Sequence, residues 1–270
     1  MKIRNIHIIL IIVGTIFFLM GAFHSNIWFD EAYSVCLVRQ SLTELIKIAS
    51  SDVHPVLYYI ALKIVAVIFG ESIIAFRVFS VLGMVALSIL GFTHIRKEFG
   101  EKVGILFSFL VIFLPVNLLY SNEIRMYSWA AFSVAVASIY AFKITKYNLK
   151  KDWIIFIVFS LISAYLHYFA LFTVGVLNIV LLVYILKNNK ILLKKWWIAG
   201  ILQAVLYLPR INSIFETKHK SSCRILDNSK VSRCINRNCK IPFSRTIYKQ
   251  HIFNICIDCI CIHNLFSSKK

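Results

Sequence analysis

Seven apolar runs separated by short polar stretches organise the first 209 residues: 6–23, 72–94, 103–119, 126–142, 153–166, 169–186 and 196–208. The runs are continuous rather than alternating, so they read as helices and not as strands of a barrel. Most approach or reach the roughly 17–25 residues that carry a helix across a bilayer. The pattern predicts an all-α polytopic membrane protein of about seven transmembrane helices. A further apolar stretch, 55–69, is short and carries Lys63. Counted as a crossing, it would turn Arg96 and Lys97 outward and Glu123 inward, against the preference of basic loops for the cytoplasm. It is therefore read as a juxtamembrane or re-entrant helix with Pro55 in its first turn. Residues 43–50, with Leu45, Ile46, Ile48 and Ala49, read as a second short interfacial helix in the same long first outer loop.

Composition agrees with this picture. The chain is 59% hydrophobic and 16% charged over 270 residues, far more apolar than a soluble domain of that length. The net charge of +18 raises nucleic acid as a partner. Up to Pro209, however, most basic residues sit in short loops between spans, where they set topology, and no nucleic acid partner is expected. With the amino terminus inside, Lys97 and Lys150 fall in cytoplasmic loops. The first run follows Lys2 and Arg4 as a signal peptide would, but Gly21-Ala22-Phe23-His24 is a poor cleavage site, so an uncleaved helix is expected. The expected location is the plasma membrane, multi-pass, with a cytoplasmic amino terminus.

The same parity puts the acidic clusters on one face. Trp28-Phe29-Asp30-Glu31-Ala32-Tyr33-Ser34 follows the first span, Asp52-Val53-His54-Pro55 comes about twenty residues later, and Ser121-Asn122-Glu123-Ile124-Arg125-Met126-Tyr127 lies between later spans. His167-Tyr168 falls on that side too. Carboxylates beside a bilayer are costly and usually have a task. Asp30 and Glu31 would point about 100° apart on a helix, so at most one serves as the working base. A carboxylate among Trp28, Phe29 and Tyr33 is partly desolvated, which makes it a better base toward a hydroxyl. Plainer roles stand beside these. Asp30 could cap a helix beginning near Ala32, and Asp52 to Pro55 could be a helix start. Arg77 could snorkel to headgroups or hold a lipid-linked phosphate through its bidentate fork. Glu123 and Arg125 could pair with each other, and His167 and Tyr168 could belong to an aromatic belt.

Taken in order, these motifs resemble the GT-C superfamily of membrane glycosyltransferases, and in particular its protein-mannosyltransferase-like branch. The resemblance rests on the Asp30-Glu31 pair after the first helix and on His54-Pro55-Val56-Leu57-Tyr58-Tyr59. It also rests on Arg77 near the start of a following helix, on Ser121 to Tyr127, and on His167-Tyr168. It covers roughly residues 1–210. It implies transfer of a sugar from a polyprenyl-phosphate donor to an extracytoplasmic acceptor, whether protein, lipid or polysaccharide. In that scheme Asp30 or Glu31 is the catalytic carboxylate. Arg77, Arg125, His54, Glu123, Tyr127 and His167 bind substrate or donor phosphate. No cofactor is expected with certainty. A divalent metal, which some relatives use, would draw on Asp30, Glu123 and His54. A polyprenyl-lipid transporter or flippase, or a non-catalytic assembly partner, are the alternatives.

The rhythm stops near Pro209. From Arg210 to Lys270 there are twelve Lys and Arg residues against three acids, and six of the seven cysteines. A shifted reading frame, a basic extension and a zinc site on Cys234, Cys239, Cys256, Cys259 and Cys261 each fit. Residues 1–209 are thus expected to form the glycosyltransferase-like module and 210–270 a separate tail. Relatives are longer, with further helices around the lipid donor. An open, wet site weakens charge interactions, so the chain is expected to be poorly active or inactive by itself.

Overall fold

A computed structural model of the chain describes residues 3–23, 27–51 and 56–220; side chains are described through Arg210, except that of Ser51. The described residues are mostly helical, with no strand among them. The order is α1 (Ile3–Ala22), α2 (Phe29–Arg39), α3 (Leu42–Ser51), α4 (Leu57–Phe69), α5 (Ile73–Leu90), α6 (Arg96–Phe99), α7 (Glu101–Phe113), α8 (Pro115–Ser121), α9 (Tyr127–Tyr147), α10 (Lys150–Leu166), α11 (Tyr168–Asn188) and α12 (Leu193–Lys220).

Among the described residues, five helical units are long and apolar enough to cross a membrane: Ile3–Ala22, Ile73–Phe99, Tyr127–Tyr147, Tyr168–Asn188 and Lys190–Arg210. The bent pair α7 and α8 makes a sixth when taken as one span. The seventh expected crossing is α10. Its 17 residues rise about 25 Å, short of the ~30 Å hydrocarbon thickness, yet it packs between α9 and α11 as the return stroke of the bundle. The chain is an all-α polytopic membrane protein in architecture.

Local chemistry explains the irregularities. α7 and α8 meet at 62° because Pro115 cannot donate a backbone hydrogen bond and its ring displaces the carbonyl four residues earlier. That carbonyl, on Val111, is satisfied by the Asn117 side-chain amide at 3.1 Å. Residues Gly91–Ile95 form a π-turn that joins α5 to α6. A Cβ on Gly91 would collide with Ser108 Oγ and stand 2.6 Å from the Gly104 carbonyl oxygen, so glycine lets α5 and α7 touch here. The same contact is fixed by His7 of α1. Ser108 Oγ donates its one proton to the Ser88 carbonyl at 2.7 Å. His7 Nε2, 2.8 Å from Ser108 Oγ, must then be the donor to it.

The short helices form a cap over one end of this bundle. α4 packs on α2, α3 and α5. It lies antiparallel to the first turns of α5, with Tyr58 OH 3.0 Å from Ser80 Oγ and the chain returning at Gly70, whose φ is +74°. The 55–69 stretch thus contributes a 13-residue apolar helix, Leu57–Phe69, shorter than the helices long enough to cross a membrane. Lys63, the residue that argued against a span, donates to the Val38 and Gln40 carbonyls, both at 2.8 Å. It satisfies acceptors left open at the end of α2. α3 begins one residue earlier than the expected interfacial segment and ends one later.

The two ends of the bundle differ in charge. At one end Glu98 meets Lys146 at 3.1 Å and Lys143 at 3.8 Å, and Lys195 reaches Asn148 Oδ1 at 3.0 Å. The other end holds Asp30, Glu31, Glu123, Arg125 and His167. The fall in hydrophobic rhythm at Pro209 does not end a helix: α12 carries Pro209 inside it and continues to Lys220.

Candidate functional site

The capped end is organised by Glu31. α2 starts at Phe29, after Trp28 as its N-cap. Asp30 is therefore inside the first turn and does not cap a helix from Ala32. Glu31 takes the capping part, accepting the Trp28 backbone N–H at 3.3 Å. Its carboxylate also accepts from Arg77 Nη2 at 3.2 Å, Arg77 Nε at 3.4 Å and the Ile124 backbone N–H at 3.1 Å. The Arg77 side chain is 0% exposed and that of Glu31 4%. One buried ion pair thereby ties α2, α5 and the Asn122–Met126 turn into a unit.

This changes the parts that the sequence suggested. Glu31 stood beside Asp30 as a catalytic candidate, but both its oxygens are engaged by donors, which leaves no free lone pair poised for a substrate proton. Arg77 was a candidate for the donor phosphate. It is instead sealed beneath the cap and turned toward Glu31. Its Nη2 and Nε are both taken up by the buried Glu31 carboxylate, a counter-ion that an incoming phosphate would have to displace.

Asp30 has the opposite environment. Its side chain is 45% exposed, and its Oδ2 lies 3.9 Å from Arg125 Nη2. Adjacent residues on α2 thus diverge, Glu31 inward and Asp30 outward, as the helical rotation requires. Arg125 is itself buried. It donates to Tyr59 OH at 3.4 Å, and Tyr127 is a further side-chain hydrogen-bond partner. Tyr127 opens α9, and its ring centroid is 5.7 Å from that of His167. His167 caps α11, with Nδ1 accepting the Phe169 N–H at 3.1 Å. Burial and then the Arg125 charge hold its pKa below the ordinary histidine value, so it is neutral at pH 7.

Glu123 completes the group. It is buried, and its Oε2 has no hydrogen-bond partner among the described residues. Burial, then Glu31, push its pKa up to about 7; Arg125 opposes this and Asp30 adds to it. Three carboxylates and two arginines from separated parts of the chain therefore converge, as the parity argument expects. His54 and Asp52 lie outside the described residues, as do the clustered cysteines of the tail.

Two contributors were not singled out from sequence. Tyr59 belonged to a quoted motif but had no assigned part, and it is the buried partner of Arg125. Arg210 was assigned to the tail. It is buried at the end of the apolar span Lys190–Arg210, where it donates to Tyr168 OH at 2.9 Å and the Ser50 carbonyl at 3.2 Å. A basic residue closing a run that the parity reading ends on the outer side runs against the positive-inside pattern, and that was the available signal.

Among the described residues no group of three His, Cys, Asp or Glu side chains is placed to hold a metal ion. Asp30 and Glu31 each face a guanidinium instead. In chemical terms the site offers one accessible carboxylate beside a buried cation, a buried acid near neutrality, and aromatic walls. The chain matches no family model, no curated protein and no solved structure.

Proposed function

We propose that this chain is a membrane glycosyltransferase of the GT-C kind, using a polyprenyl-phosphate-linked sugar as donor and an extracytoplasmic hydroxyl as acceptor, in the plasma membrane with its amino terminus in the cytoplasm. The observation that carries the reading is the pairing of accessible Asp30 with buried Arg125 at the capped end of a membrane bundle. Group transfer from a lipid phosphate needs a base for the attacking hydroxyl and a cation for the departing phosphate, held a few ångströms apart. A lipid donor also needs that pair at the end of apolar helices, where its phosphate rides.

Asp30 takes the acceptor proton while the acceptor oxygen bonds to the anomeric carbon. The bond from that carbon to the phosphate oxygen breaks, and its electron pair leaves with the polyprenyl phosphate. Arg125 offsets the charge that gathers there, with Tyr59 and Tyr127 fixing its plane. Glu31 and Arg77 act one layer back, holding α2 and the Asn122–Met126 turn in register. Placement at a helix-end cap favours this chemistry over transport, because transporters place their polar groups near the bilayer midplane.

A photoactivatable polyprenyl phosphosugar tests the reading in nanodiscs holding the chain. Labelling is expected on peptides containing Asp30, Glu123 or His167, and excess unlabelled donor should compete it away. Labelling spread evenly along the bundle, or confined to the Glu98 end, would remove the proposal.

A further inference from the structure

The Glu98 end of the bundle carries more charge than topology asks for. Between positions 143 and 195 the chain has eight lysines and one acid, Asp152. Some of these lysines are accounted for within the fold. Lys143 and Lys146 pair with Glu98, and Lys187 lies in the last turn of α11, where a cation suits the helix terminus. Lys150, Lys151, Lys190 and Lys194 are exposed and have no ion pair among the described residues. Lys150 and Lys151 open α10, and Lys194 and Lys195 lie at the start of α12, whose first turn has no acid. A cation at the positive end of a helix is unfavourable. Asp152 is only 1% exposed, so it does not offset them at the surface. The two helix starts are also held together. Lys195 Nζ donates to Asn148 Oδ1 at 3.0 Å, and Trp153 Nε1 of α10 donates to the same oxygen at 3.0 Å.

Bare apolar side chains stand among these charges. Ile191, on the short turn Lys190–Leu192, is 87% exposed, whereas Leu192 beside it is 3% exposed and anchors the turn. Trp197 and Ile198 are each 56% exposed. They follow Lys194 by three and four positions, so they share its face of α12, one turn further into the apolar span. We propose that the joined turns bearing Lys150, Lys151, Lys190 and Lys194 hold the headgroup of an anionic phospholipid, with Ile191, Trp197 and Ile198 against its glycerol and acyl region. The positive-inside preference explains charge at this end but not an isoleucine left bare among lysines. Free phosphate or nucleic acid would meet the lysines and leave Ile191 in water, whereas a phospholipid has a part for each. Lysine suits the task as a point charge on a flexible stem, able to follow a mobile headgroup. Each such cation near an anionic leaflet changes affinity about fivefold.

The test places the full chain in nanodiscs of dioleoyl phosphatidylcholine with graded amounts of dioleoyl phosphatidylglycerol, and native mass spectrometry counts the lipids that stay bound. The wild type is expected to retain phosphatidylglycerol in preference. Lys190→Gln/Lys194→Gln should lower its relative association constant about fivefold for each lysine removed. Lys97→Gln/Lys102→Gln makes the same change in net charge at the same end, in a turn that also holds Glu98 and Glu101, and should stay close to wild type. All four lysines are exposed, so neither variant removes a buried contact. Ile191→Ser, which leaves the charge unchanged, should also weaken retention. Equal losses in the two lysine variants, no preference in the wild type, or full retention by Ile191→Ser would overturn the proposal. So would displacement of phosphatidylglycerol by inorganic phosphate or by an oligonucleotide.

Discussion

Replacing Glu31 by Gln removes one charge from a pair whose side chains are 0% and 4% exposed. Shape is kept, but only one acceptor oxygen remains for donors that now reach two. Arg77 loses its counter-ion, and either the Trp28 or the Ile124 N–H faces an amide NH₂ in place of an oxygen. Removing one partner of a buried pair costs about 3–5 kcal/mol, a factor of roughly a hundred to a few thousand in the folded population. The Arg39–Glu71 pair is the internal control. At 2.7 Å it is shorter, yet its side chains are 20% and 50% exposed, and an exposed pair contributes about 0–1 kcal/mol. Thermal unfolding in detergent should therefore rank Glu31→Gln far below wild type and Arg39→Gln close to it. The double variant Glu31→Gln/Arg77→Gln should lose clearly less than the sum of the two single losses. Near-wild-type stability of Glu31→Gln, or strict additivity in the cycle, would show that the buried pair does not hold the cap.

Arg210→Gln gives up the bonds that tie α12 to Tyr168 and Ser50; a loss of about 1.5–3 kcal/mol is expected, with faster proteolysis near α3 as a second readout. Gly91→Ala drives a methyl group into Ser108 and the Gly104 carbonyl, so unfolding measurements should show about 1–3 kcal/mol of destabilisation. For sidedness, single cysteines at positions 30 and 167 should react with an impermeant thiol reagent on intact cells, and those at positions 97 and 150 should not. Labelling at 150 but not at 30 would reverse the arrangement.

The spans were legible because membrane helices announce themselves by length and apolarity, and basic loops fix their alternation. Parity alone therefore brought Asp30, Glu123 and His167 to one end. What sequence could not resolve was direction within a turn of helix. Asp30 and Glu31 are neighbours of like chemistry, and only the seat of α2 against Arg77 and Ile124 decides which carboxylate is consumed by structure. Arg77 misled for the same reason: a lone arginine in a span reads as a ligand for something, and its partner lay 46 residues away. Arg210 was lost to a compositional boundary one residue too early, because the fall in hydropathy at Pro209 does not end α12, which continues to Lys220. The Pro115 break was readable from its residue type; the Gly91 contact with α7, set by packing, was not.

The most direct measurement is release of free polyprenyl phosphate from a labelled polyprenyl phosphosugar, in membranes that supply native acceptors and carry either the wild-type chain or Asp30→Asn. Asp30 is nearly half exposed at its side chain and 3.9 Å from Arg125, so the substitution should cost no more than about 1 kcal/mol. Slow release by the wild type, reduced about a hundredfold or more by Asp30→Asn as for loss of a general base, is the expected result. Equal release by the two proteins, or none above empty membranes, would contradict a glycosyltransferase built on Asp30.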